Sequence, residues 1–136
     1  MSVIEQKVIK LVARPVRREV YKNGGEDVNL GDRSVFTHEL SLDGEVVGFD
    51  GGACTVVRLE DGHSHIVCNV SMNLPDGTIA FQTFVEEVFP PPPFFAAITG
   101  GTGLYRGVRG EMHIDPASPE THFYTLYLDG MGEQGR

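Results

Sequence analysis

A chain of 136 residues with 11 Lys+Arg against 19 Asp+Glu, a net charge of −8 and no basic cluster larger than Arg14, Arg17 and Arg18 is a poor partner for nucleic acid or an anionic membrane. The length fits one domain, 1–136, with a real core, and no apolar run approaches the roughly 20 residues of a membrane span. Met1 to Lys7 lacks the apolar stretch of a secretory signal, so the chain is expected in the cytoplasm, with Cys54 and Cys68 as free thiols.

In chain order, Val8 to Ala13 is apolar and β-branched and reads as a first strand, which Pro15 should end. Val16 to Leu30, charged and carrying Asn23-Gly24-Gly25, reads as a long surface connection. Arg33 to Leu42 alternates, with Ser34, Phe36, His38, Leu40 and Leu42 on one face, and Asp43-Gly44 is a hairpin signal. Glu45 to Glu60 is a strand bent by Gly48, Gly51 and Gly52, with Cys54 and Val56 on one face. Asp61-Gly62 turns the chain into a strand from His63 to Leu74, and Pro75-Asp76-Gly77 turns it into another from Thr78 to Val88. Four prolines, Pro90 to Pro93, demand a loop or an edge.

Phe95 to Thr99 runs into a glycine corner, Thr99-Gly100-Gly101-Thr102-Gly103, where the chain reverses. A strand is expected from Leu104 to Ile114, a loop over Asp115 to Pro119 and a last strand from Thr121 to Leu128. The glycines do not make a dinucleotide fingerprint, because Arg106 stands where its third glycine belongs and no helix follows. The ordered core should span about 7–129, with 130–136 a flexible tail. About eight short strands at hairpin spacing, several apolar on both faces, predict an all-β fold: a closed antiparallel barrel of lipocalin-like kind, its outer face buried in a homo-oligomer.

His63 and His65 share a face, yet no Cys, Asp or Glu stands at a recognised zinc spacing from them, so no metal is expected. His38, His65 and Asn69 instead read as hydrogen-bonding groups inside an apolar lumen, and Tyr124 as a ring that fills it with its hydroxyl toward a ligand. Cys68, on the opposite parity to His65 and Asn69, is expected outside against a neighbour.

Several stretches resemble the allene oxide cyclase barrels and the related dirigent proteins: Gly31-Asp32 with Val35-Phe36-Thr37, Val47-Gly48 leading to Gly52-Ala53-Cys54-Thr55-Val56-Val57, Ala97 to Gly107, and Phe123 to Gly130. They follow in the family's order between Gly31 and Gly130. The resemblance implies an eight-stranded barrel, often trimeric, whose lumen folds a flexible hydrophobic substrate without a cofactor, as in bacterial natural-product cyclases of this type. Carried over by position, Cys54 matches a pocket cysteine, Phe36 a pocket aromatic, His38 a pocket asparagine and His65 a pocket aromatic. The first strand lacks the glutamate and asparagine of the plant cyclases, so allene oxide cyclase activity itself is not expected.

The expected function is therefore a cyclase or isomerase that needs no cofactor and closes a ring in a polyene or polyketide-type substrate. Cys54, His38 and His65 are the candidate catalytic groups, and Ser34, Phe36, Val56, Asn69 and Tyr124 the candidate substrate contacts. The expected partners are a small hydrophobic substrate and further copies of the chain, as a dimer or trimer. A dirigent-like or lipocalin-like carrier without catalysis is the alternative.

Overall fold

The structure, a computed structural model, describes residues 6–131. Eight antiparallel strands form one closed barrel in sequence order: β1 (Lys7–Tyr21), β2 (Arg33–Leu42), β3 (Glu45–Glu60), β4 (His63–Leu74), β5 (Gly77–Glu86), β6 (Phe94–Gly101), β7 (Arg109–Ser118) and β8 (Thr121–Asp129), with β8 pairing back onto β1. Closure leaves no sheet edge, so every strand finds two neighbours and the side chains alternate between lumen and outside. Among the described residues no helix is long and apolar enough to cross a membrane.

The hairpin signals fold as their residues dictate. Asp43 and Gly44 take φ of 51° and 81°, the paired positive values of the turn that matches strand twist. Gly48 is required for a different reason: a Cβ there would lie 1.9 Å from the carbonyl oxygen of Asn73, so β3 can press onto β4 only without a side chain.

Three expectations need correction. β1 does not stop at Pro15 but runs on to Tyr21: the proline pairs with His38 at a register shift between Pro15 and Arg17, past the last β1–β8 pair at Ala13, the kind of bulge and strand-edge position that tolerates proline. The expected strand from Leu104 starts late: Gly103–Tyr105 is a 3-10 turn that buries Tyr105, and β7 begins at Arg109. β7 then carries Pro116 within it, inside a second register shift between Asp115 and Ser118, where a loop was expected. Of the expected tail, residues 132–136 lie outside the described residues, while Met131 packs against the core.

The lumen is divided lengthwise. Toward the β2–β3 and β4–β5 hairpins it is filled by Leu40, Met72, Ile79, Met112, Leu126 and Leu128, all fully buried. Toward the other end, where β3 turns into β4, Ser34, Phe36, Cys54, Phe94 and His122 are only half-buried and form a mouth.

Candidate active site

At the boundary between the filled half and the mouth lies one fully buried acid, Asp50 on β3. Three donors converge on its carboxylate. The backbone N–H of His38 lies 2.8 Å from Oδ1, the His38 ring Nδ1 2.8 Å from Oδ1 and 3.0 Å from Oδ2, and the Tyr124 hydroxyl 3.1 Å from Oδ2. A carboxylate only accepts, so this set satisfies a group that would otherwise be costly to bury. The ladder fixes the arrangement: His38 pairs with Asp50 across β2 and β3, and Tyr124 reaches the same carboxylate from β8.

With Nδ1–H donating to the Asp50 carboxylate, Nε2 of a neutral imidazole at His38 carries the lone pair, the arrangement of an oriented general base. Tyr124 stays protonated: burial, then the charge and hydrogen bond of Asp50, push its hydroxyl well above the ordinary tyrosine range. His122, one ladder step toward the mouth from Tyr124 on the lumen side of β8, has its ring centroid 5.4 Å from that of His38. Burial and then the neighbouring His38 lower its proton affinity, against the opposing pull of Asp50 and Asp115. Phe36 packs against His38, with ring centroids 5.3 Å apart, and floors the mouth. The lumen thus joins a positioned base, a protonated phenol and apolar walls, the components of proton transfer to and from a hydrophobic molecule. A separate cavity of about 610 Å³ opens at the other end between Ile9, Leu11, Val47, Leu74 and Tyr105, and contains none of these groups.

The model of the allene oxide cyclase barrel-like domain matches residues 17–126, most of the chain. The chain belongs to the allene oxide cyclase barrel-like family. Within this fold it is similar to a pyocyanin demethylase, at 30% identity and a TM-score of 0.81 over 90% of this chain and 99% of that one. It is similar too to AbnU, an exo-specific intermolecular Diels–Alderase, at 18% identity and a TM-score of 0.80 over 95% and 100% of the two chains. A pterocarpan synthase dirigent protein superposes at 16% identity and a TM-score of 0.67, over 93% and 88%. The last two likenesses are of fold.

On this family barrel Ser34, Phe36, His38, Cys54, Val56 and Tyr124 all face the lumen. His65 and Asn69 do not. Both lie on the outer surface of β4, where Asn69 is exposed and the His65 ring stacks on Phe84 with centroids 5.5 Å apart. Cys68 faces inward, opposite to expectation, and is bonded to Cys54 in a disulfide, so neither is a free thiol and Cys54 offers no thiolate nucleophile. The two stand directly opposite each other on the β3–β4 ladder. Asp50 is not among the residues the sequence singled out, and His122 reads from sequence only as a surface or pocket-rim histidine without a zinc spacing. Asp50 shares the parity of Cys54 along β3, so an acid on the lumen face of a glycine-rich strand was the available signal.

Proposed function

We propose that this barrel is an enzyme of the cyclase or isomerase type that needs no cofactor: it folds a small hydrophobic, conjugated substrate in its mouth and moves a proton with the His38–Asp50 pair. The observation that carries this reading is the fully buried Asp50 anchoring Nδ1 of His38 beneath a half-buried apolar mouth. A base held in one tautomer by a buried acid contributes typically ~100- to 10,000-fold. The apolar walls add proximity by holding the substrate in a reactive shape. Tyr124 steadies the acid, and Phe36 stacks against the substrate face.

A second reading is demethylation of a substrate of pyocyanin's kind, favoured by the 30% identity to the pyocyanin demethylase across nearly all of that chain.

One experiment separates them. Purified protein is incubated with pyocyanin, and with a metabolite extract from the source organism lacking the gene, and the compounds are followed by chromatography and mass spectrometry against a boiled control. A product of unchanged mass supports the cyclase or isomerase reading, and loss of one methylene unit supports demethylation. A compound retained unchanged points to a dirigent-like carrier and overturns both.

A further inference from the structure

His122 lies on the same face of β8 as Tyr124, half-buried, with its ring tilted 57° to that of His38 and the centroids 5.4 Å apart. Asp50 hydrogen-bonds His38, and among the described residues no side-chain hydrogen bond to His122 is present. One imidazole is therefore fixed by an acid at the floor, and a second stands over it nearer the mouth. At this separation one direct or water-mediated step links the rings. Burial and the neighbouring His38 both lower the proton affinity of His122.

We propose that His122 is a second proton-transfer group, which returns at another edge of the substrate the proton that His38 removes. This rests on the reading of His38 as the lumenal base and extends it to a substrate class: flat, neutral, fused-ring ketones with an acidic C–H on the far side of the ring from the carbonyl. Nε2 of His38 takes the proton as the C–H bond breaks, and the electron pair moves through the ring to the carbonyl oxygen. His38 then hands its proton to one ring nitrogen of neutral His122, while the other nitrogen gives its proton to that oxygen. Both histidines end neutral, the substrate has become its enol, and no oxidant or cofactor enters the balance. The walls suit such a molecule, because Phe36 offers a ring face beside His38.

Anthrone is the matching probe: its acidic C–H and its carbonyl lie on opposite sides of the central ring. Under argon in D2O, deuterium uptake at that carbon is followed by mass spectrometry, and binding by fluorescence. Wild type should exchange faster than buffer, and His38→Gln should fall to the buffer rate. His122→Gln should be at least tenfold slower with unchanged binding, and added imidazole should restore His122→Ala, which a purely structural role would not allow. His122→Gln exchanging like wild type overturns the role of His122 and leaves His38 as the base. Wild type exchanging no faster than buffer overturns the proposed relay and its substrate class, while the extract experiment judges the broader reading independently.

Discussion

Asp50 and Tyr124 are 74 residues apart in sequence, yet the Tyr124 hydroxyl lies 3.1 Å from Oδ2 of Asp50. Their strands are not neighbours: β8 is separated from β3 by β1 and β2, so this hydrogen bond reaches across the inside of the barrel. It ties the acid to the far wall while the β2–β3 ladder ties it to His38. The carboxylate that holds the His38 ring is thus itself held from two sides.

Replacing the acid should therefore weaken catalysis more than replacing the phenol. Asp50→Asn keeps the volume but loses the charge that selects the His38 tautomer, and kcat should fall about 100-fold or more. Tyr124→Phe removes one of the donors and should lower kcat by less than about tenfold, with a stability loss of about 1 kcal/mol. Steady-state kinetics and denaturant melts on the substrate identified from extract would check both. Equal effects of the two changes would contradict this ordering.

The outer face provides the control. His65→Ala and Asn69→Ala should leave kcat/KM within about twofold, since surface changes away from special features are usually small. Phe36→Ala, at the lumen mouth, should raise KM. Measuring the three side by side tests the inside assignment of Phe36 on β2 against the outside assignment of His65 and Asn69 on β4.

Cys54 and Cys68 close a loop across a sequence separation of 14. Replacing both by serine should cost about 3 kcal/mol, chiefly by releasing the unfolded chain. Chemical denaturation of the double variant gives the loss, and alkylation before and after reduction, read by mass spectrometry, should label the cysteines only after reduction. Full labelling of the unreduced protein would refute the pairing.

The loop 22–32 has its own pH dependence. Asp32 accepts from the backbone N–H of Asn23 at 2.6 Å, from the Lys22 ammonium and from the backbone N–H of Asn29 at 2.9 Å. The Asn23 bond, then Lys22, lower its pKa from 3.8 to about 2. A depressed carboxylate stabilises the fold above its unfolded pKa, so this contribution is complete above about pH 5 and is lost as pH falls from 3.8 toward about 2. Amide exchange at Asn23 and Asn29 should accelerate over that window in wild type, and Asp32→Asn should show fast exchange already at neutral pH.

The β-rich fold, the strand count and the hairpin turns were legible in local sequence, because alternation and Asp-Gly turns are short-range signals. So was the lumen face of β2, where Ser34, Phe36 and His38 share one parity. What alternation alone could not supply was the relation between strands. The β3–β4 ladder opens with Glu60 opposite His63, and a bulge between Val56 and Arg58 then shifts it by one residue. Continued without that bulge, the ladder would set Cys54 opposite Asn69, with His65 and Asn69 on the lumen side. The bulge sets it opposite Cys68, which turns His65 and Asn69 outward and makes the disulfide.

The sequence by itself determined that this chain is a barrel of alternating strands, because hydrophobic period and turn chemistry are local properties. Only closure of the barrel decided that Asp50, His38, Tyr124 and His122, from three strands, meet around one lumen. Contacts across a lumen depend on register and curvature summed over every intervening strand.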